Sequence, residues 1–397
     1  MLKNQTVVLF LTNGITALAF ALVLPVMSLF LVSGLHTEPA YIGIYTTLTA
    51  LMTVLVSQKM TGLIDKGVPG KRLLLISLTG IVAAALGFSV ASEFWQALLV
   101  GCLLMPFASS SIPLILTIIR HYADASGKNS TKLNSQMRSS VSMLWVFGPP
   151  LAFLSVDQLG FAANFRTSAL IAVLVMIWVT LVLQQPKPEQ EDHQQQSKTG
   201  AVADSRLGYE VWMLGAVMLL ANMANSAYIN TMPLYLTKDL GLSTAYPGWL
   251  MGAAAAVEIP VMLLVAGWAV KVGKLWIMKA AFVCAMVYYV SVYFSSSVWT
   301  ILALQLLNGL FFGIFAGLGV TLMQDYAGKN IGKASAFYTN AMLVGTMLGT
   351  SCMGLVSQYF GFKAPFLLCL LSIVLAFVVM SGFEKRVGGE QAQTQTE

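Results

Sequence analysis

Apolar runs of about 20 residues recur along the whole chain, and they constrain its fold more than any other feature. A run of this length, folded as a helix, crosses the roughly 30 Å hydrocarbon core of a bilayer. Charged residues make up only 10% of the 397 residues, against about 25% in soluble domains. The sequence therefore predicts an all-α membrane protein with twelve transmembrane helices. The predicted spans are 5–33, 41–64, 73–92, 95–119, 135–156, 166–184, 209–236, 246–270, 275–294, 299–323, 334–358 and 364–383.

One polar segment divides the chain into two halves. Residues 184–206 read QQPKPEQEDHQQQSKTGAVADSR, a composition typical of a solvated linker. The predicted organisation is an N-terminal six-helix bundle over 1–184, a cytoplasmic linker over 185–208, a C-terminal six-helix bundle over 209–384 and a cytoplasmic tail over 385–397.

Short sequences of the first half recur in the second at a nearly constant distance. The pairs are YIG at 41–43 with YPG at 246–248, RHYA at 120–123 with QDYA at 324–327, and GFAANF at 160–165 with GFKAPF at 361–366. The members of each pair are 205, 204 and 201 positions apart. Gene duplication explains such a series. Two pseudo-symmetric six-helix bundles resemble the major facilitator architecture.

The formal charge of +6 is unevenly distributed over the predicted loops. Only Arg166, Lys238 and Lys363 fall on one side of the twelve-helix topology, and the other 19 of the 22 Lys and Arg residues fall on the opposite side. This is the positive-inside bias. It places both termini in the cytoplasm and explains the basic charge without a nucleic acid partner.

The loop after the second span reads GLIDKGVPGKRLLL at 62–75 and resembles the loop motif of the major facilitator superfamily, with an altered spacing. The resemblance implies a cytoplasmic gate in which Asp65 faces a helix N-terminus and Lys71 and Arg72 pair with an acidic group such as Asp124. Ordinary positive-inside charge is the alternative interpretation of this loop. The same predicted gate also includes Arg120.

A second stretch narrows the resemblance. Residues 118–153 contain Arg120-x-Tyr122-Ala123-Asp124, then Met137-Arg138, then WVFGPPLAF at 145–153, an arrangement similar to the bacterial sugar efflux transporter family. EIPVMLLVAGW, which begins at Glu258, is similar to the eighth helix of that family. The resemblance implies a monomeric multi-pass protein of the bacterial cytoplasmic membrane that exports sugars or glycosides in exchange for protons.

Polar side chains inside the spans are the candidate sugar ligands, because a sugar pocket combines apolar walls with a few placed polar groups. The seventh span supplies Asn222, Asn225 and Tyr228, and the tenth supplies Gln305 and Asn308. The three-residue spacing of each amide pair places it on one helical face. The other predicted substrate ligands are Asn13, Asn340, Glu258 and, as a stacking ring, Trp145. Hydrogen bonding between helices is the alternative role of such amides.

Glu258 lies near the middle of the apolar run GAAAAVEIPVMLLVAG. A charged side chain there costs roughly 3 kcal/mol on insertion scales, and desolvation favours the neutral carboxyl group. Glu258 is therefore the predicted proton-coupling residue, with Arg138 as a candidate partner. The alternative is a structural carboxyl group beside a helix break at Pro260.

Several other functions remain to be separated from sugar export. A proton-coupled multidrug exporter would share these features and have a Met-rich cavity, and the chain holds 21 Met residues. A transporter-shaped membrane sensor would bind solute without moving it. The four cysteines and three histidines have no metal-ligand spacing, and no catalytic constellation is present, so neither a cofactor, a metal nor an enzyme activity is predicted.

Overall fold

A computed structural model describes residues 5–125, 130–183, 207–328 and 330–394. Helices make up nearly all of these residues. The α-helices are α1 Gln5–Ala21, α2 Met27–Leu29, α3 Ala40–Asp65, α4 Gly70–Val90, α5 Phe94–Leu103, α6 Met105–Ser109, α7 Ser111–Ala125, α8 Ser130–Val182, α9 Tyr209–Leu234, α10 Ala245–Val272, α11 Lys274–Phe294, α12 Val298–Asp325, α13 Ile331–Phe360 and α14 Pro365–Thr394. Two π-helical turns, Phe30–Gly34 and Tyr235–Asp239, continue α2 and α9.

Within the described residues, ten helical segments are long and apolar enough to cross a membrane. One of them, Leu144–Val182, has 39 residues, which as a straight helix would measure about 58 Å. It is interrupted at Gly160, whose φ of 82° and ψ of 169° are not helical. The predicted fifth and sixth spans therefore correspond to the two parts of α8.

Prolines interrupt two of the predicted spans, which the sequence analysis drew as continuous. The first span, 5–33, breaks after Ala21 because Pro25 has no N–H to bond the Ala21 carbonyl group. The fourth span is divided into α5, α6 and α7, with Pro106 and Pro113 close to the two divisions. In contrast, α10 runs unbroken through Pro260. The helix break assumed in the alternative interpretation of Glu258 is therefore wrong.

The internal repeat is also visible in the backbone. Gly160 and Gly361, which open the two related GF sequences, have φ values of 82° and 80° and ψ values of 169° and 171°. The π-helical turns start at Phe30 and Tyr235, again 205 positions apart. The two halves thus share their unusual backbone conformations at equivalent positions, as duplication predicts.

The described residues cluster into two compact units. The first contains the described residues of 5–24, 48–148 and 159–183. It includes a core cluster of Met60, Leu73 and Leu114. The bundle boundaries inferred from the sequence stay predictions.

The second unit contains Pro25–Thr47, Pro149–Gln158 and the described residues from Leu207 onward. In it α9 packs against α13 and α14, and α12 packs against α10 and α11. Helix α14 continues to Thr394, beyond the predicted apolar span that ends at 383. These helices bring the polar side chains of α9, α11 and α12 together.

We expect Gly160→Ala and Gly361→Ala each to destabilise the protein by about 1–3 kcal/mol, because an L residue is strained at their φ and ψ. A Cβ at either position meets no atom within 4 Å, so the effect isolates backbone strain. Thermal unfolding in detergent measures it. Gly267→Ala is the matched control, since this helical glycine also has free space around it. Equal stability of all three variants would contradict the argument.

Candidate functional site

Gln305 of α12 is the centre of a buried polar cluster in the second unit. Its Nε2 donates to the hydroxyl of Tyr288 at 2.8 Å and to the carbonyl oxygen of Ile301 at 3.1 Å. Its Oε1 accepts from the hydroxyl of Tyr228 at 3.0 Å and from Nδ2 of Asn308 at 3.1 Å. All the hydrogen-bonding capacity of the Gln305 amide is therefore used.

Three tyrosine rings surround this amide. Tyr228 of α9 and Tyr288 and Tyr289 of α11 have ring centroids 5.3–6.0 Å apart, in the tilted and edge-to-face geometries that aromatic pairs favour. Tyr288 and Tyr289 have no exposed surface, and Gln305 is 1% exposed. The cluster thus joins α9, α11 and α12 through buried polar and aromatic contacts.

The two predicted amides of α9 differ in their contacts. Asn222 donates from Nδ2 to the carbonyl oxygen of Met342 at 2.6 Å and to the hydroxyl of Thr346 at 2.8 Å, which fastens α9 to α13. Asn225 is buried and has no hydrogen-bond partner among the described residues. The structure therefore brings Tyr228, Gln305 and Asn308 together, and it connects Asn222 to a different helix.

Glu258 of α10 is half-buried, and its carboxyl group has no hydrogen-bond or ion-pair partner in the described part of the chain. Its main-chain oxygen faces α12, where a Cβ added to Gly313 would lie 2.9 Å from it. The absence of a side chain at Gly313 lets the two helices approach closely. Backbone packing, and not a bond to the carboxyl group, fixes the position of Glu258.

A family model described as the Major Facilitator Superfamily matches residues 9–296 and 214–396 of the sequence. These two matches together cover nearly the whole chain. The chain belongs to the major facilitator superfamily.

Individual relatives are consistent with this membership. The chain is 32% identical to sugar efflux transporter A of Dickeya chrysanthemi over 92% of both chains, and 31% identical to sugar efflux transporter B of Salmonella typhimurium over 91% of both. It is 24% identical to the multidrug resistance protein MdtG of Enterobacter lignolyticus over 98% of this chain and 94% of that protein.

A solved structure shows the same fold. The crystal structure of the nucleoside transporter NupG aligns with a TM-score of 0.77 and 14% identity, over 96% of this chain and 98% of that one. This similarity supports the facilitator fold and says nothing about the substrate.

The second unit holds a group of contacts between helices that the sequence does not predict. Oδ1 of Asp157 accepts from the hydroxyls of Ser243 at 2.7 Å and Thr244 at 2.6 Å. Nearby, a Cβ on Gly248 would lie 2.8 Å from Cα of Pro150. These contacts join 149–158, from the first half of the sequence, to the start of α10.

A second missed contact lies at another loop of this facilitator fold. Lys274 and Asp325 form an ion pair with an N to O distance of 2.6 Å, between the start of α11 and the end of α12. Asp325 belongs to the QDYA copy of RHYA, so the repeat was a signal that pointed to this end of α12. The pair is partly exposed, and such pairs contribute about 0–1 kcal/mol.

The predicted gate of the first half is described only in part. Lys71 donates from Nζ to the carbonyl oxygens of Thr180 at 3.0 Å and Leu183 at 2.7 Å, near the end of α8, and Arg72 is exposed. Of the predicted gate and coupling residues, the side chains of Asp65, Arg120, Asp124 and Arg138 lie outside the described part of the chain.

The remaining predicted ligands lie apart from the Gln305 cluster in sequence and element. Asn13 is buried in α1, Trp145 is 38% exposed on α8, and Asn340 is exposed on α13. In the described residues no group of three or more His, Cys, Asp and Glu side chains has the arrangement of a metal site.

We expect Asn222→Ala to lower the thermal stability of the protein by about 1 kcal/mol, because it removes two hydrogen bonds between α9 and α13. Asn225→Ala, on the same helix and equally buried, removes none and leaves stability unchanged. Thermal unfolding of the purified variants in detergent measures both. An Asn225→Ala variant that is as destabilised as Asn222→Ala would contradict this assignment.

Proposed function

We propose that this facilitator protein is a secondary transporter that exports sugars or glycosides by alternating access, driven by proton exchange. The observation that carries the proposal is the similarity to proteins named sugar efflux transporters, at 32% and 31% identity over more than nine tenths of each chain. We place the protein in the bacterial cytoplasmic membrane, with both termini in the cytoplasm.

The chemistry of the Gln305 cluster supports a sugar as the substrate. Neutral amide and phenol groups exchange hydrogen bonds with hydroxyl groups without attracting a net charge. In this proposal Asn225, Asn308 and Tyr228 contact the substrate, and Asn222 holds α9 in place for them. Asn13, Trp145 and Asn340 remain proposed ligands.

Glu258 is the proposed proton carrier. A carboxyl group without a partner and partly removed from water binds a proton more readily than an exposed one. Substrate and proton that compete for Glu258 would be exchanged for each other, which constitutes antiport. The coupling requires the carboxyl group to differ in proton affinity between the two conformations.

Alternating access also requires contacts to break. The Asp157 hydrogen bonds and the close approach at Gly248 join segments from the two halves of the sequence. They lie near loops predicted to be on the side of the membrane opposite the cytoplasm. In our proposal these contacts separate when the protein opens toward that side. The Lys274–Asp325 pair stays within the second half of the sequence and would be retained.

A multidrug exporter is the second candidate, because the chain is 24% identical to MdtG. A cation with large apolar surface would need a negative partner, and Glu258 would supply it. A sensor, the third alternative, would bind solute without net movement across the membrane.

We expect purified protein in proteoliposomes to move sugars and to release or take up protons as it does so. The measurement is flux of labelled mono- and disaccharides, together with a pH-sensitive dye inside the vesicles, and the same vesicles are then tested with cationic dyes. Flux of dyes without flux of any sugar would support the multidrug alternative. Binding without flux of either class would indicate a sensor.

We expect Glu258→Gln to abolish export of sugar against a gradient, a loss of at least about tenfold, while exchange of labelled for unlabelled sugar continues. Glutamine keeps the size of the side chain but cannot carry a proton. Flux driven by an imposed pH gradient, compared with counterflow, separates the two activities.

Glu384→Gln is the matched control, because Glu384 is ion-paired with Lys279 and has no proposed role in coupling. It should keep uphill export. A Glu258→Gln variant that exports sugar uphill at the parental rate, with the parental pH dependence, would remove Glu258 from the coupling mechanism.

A further inference from the structure

The main-chain oxygen of Ile301 determines the orientation of the Gln305 amide, and through it that of the Asn308 amide and the Tyr228 hydroxyl. A carbonyl oxygen only accepts hydrogen bonds, so the group of Gln305 that faces the Ile301 oxygen at 3.1 Å must be the nitrogen. The Gln305 oxygen therefore points the other way, toward Tyr228 and Asn308. The assignment of the Gln305 amide is thus fixed by the backbone of its own helix.

The same reasoning fixes Asn308. Because the Gln305 oxygen also only accepts, Asn308 must present its Nδ2 to it, and the two atoms are 3.1 Å apart. The opposite orientation would place two acceptor oxygens against each other. Asn308 Oδ1 is consequently directed away from Gln305, and this buried oxygen has no hydrogen-bond partner in the described part of the chain.

An unpaired buried acceptor is unfavourable, because the group has lost its water without gaining a partner. A ligand that donates a hydrogen bond to it removes that penalty. Asn308 is 5% exposed against 1% for Gln305, so it is the less enclosed of the two amides. The chemistry required of the ligand is an O–H group on a neutral molecule, since the surrounding amides and phenols provide no countercharge.

We infer that Asn308 Oδ1 accepts a hydrogen bond from one hydroxyl group of the transported sugar, and that Tyr288 is a positioning residue that holds the Asn308 oxygen ready through Gln305. This inference rests on the proposed sugar export and names a specificity determinant for it. Tyr288 accepts from Gln305 Nε2 at 2.8 Å, so it restrains the Gln305 amide that in turn orients Asn308.

The neighbouring Tyr289 gives a matched comparison. It lies in the same helix, it is equally buried, and its ring packs against both Tyr228 and Tyr288. Its hydroxyl, unlike that of Tyr288, has no hydrogen-bond partner in the described residues. Tyr288→Phe and Tyr289→Phe therefore each remove one buried hydroxyl from the same helix, and only the first change removes a hydrogen bond to Gln305.

The experiment measures KM and maximal rate in proteoliposomes for one exported sugar and for analogues in which a single hydroxyl is replaced by hydrogen. We expect one analogue to have a KM at least about tenfold higher than the parent sugar, because it leaves the Asn308 oxygen unpaired. Asn308→Ala should transport that analogue and the parent sugar with similar KM values. Tyr288→Phe should reduce the discrimination several-fold at an unchanged maximal rate, and Tyr289→Phe should preserve it.

Separate results overturn the separate proposals. Protein that moves no sugar at all refutes sugar export and this inference with it. Protein that moves sugars but accepts every deoxy analogue equally refutes only the role of Asn308. Equal loss of discrimination in Tyr288→Phe and Tyr289→Phe refutes the positioning role of Tyr288. The analogue series on the parental protein can refute the role of Asn308 even if a variant fails to fold.

Discussion

The hydrocarbon interior of the bilayer offers no hydrogen-bond partner, and the rest of this structure depends on that constraint. Main-chain N–H and C=O groups must be satisfied within the chain, so the spanning segments are helices. The helices are interrupted near Pro25, Pro106 and Pro113, where the ring removes a donor, and at Gly160. The same constraint applies to side chains, because each amide inside a span needs a partner.

The polar residues of the second unit meet this constraint in two different ways. The Gln305 amide is fully bonded, and through it one main-chain oxygen of α12 determines how Tyr228 and Asn308 are oriented. Glu258 and the Asn308 oxygen have no partner among the described residues. Satisfied groups hold helices together, whereas unsatisfied ones gain free energy from a ligand or a proton. This division gives the proposed transporter rigid supports next to groups that can bind.

The repeated segments resemble each other more closely in backbone conformation than in side chains. Gly160 and Gly361 have nearly the same φ and ψ, and π-helical turns recur 205 positions apart. The sequences around them share only a few residues. Strained backbone positions admit glycine almost alone, whereas most other positions of the repeats accept different side chains without backbone strain.

The sequence alone determined the membrane class, most of the spans and the relation between the halves. Most helix ends agree with the predicted spans within a few residues; α10, for example, covers 245–272 against a predicted 246–270. This succeeds because the free energy of transferring a segment into lipid depends on the residues of that segment. The proline interruptions were not predicted, because a proline breaks one helix near Pro25 and is accommodated in another at Pro260.

Only the tertiary structure decided which polar residues meet. Asn222 and Asn225 share a face by spacing, yet one bonds α13 and the other bonds nothing among the described residues. Asp157 reaches hydroxyls 86 and 87 positions away, and Tyr288, which no motif singled out, restrains Gln305. The physical reason is that a hydrogen bond needs two groups within about 3 Å, and the packing of helices distant in sequence determines that distance.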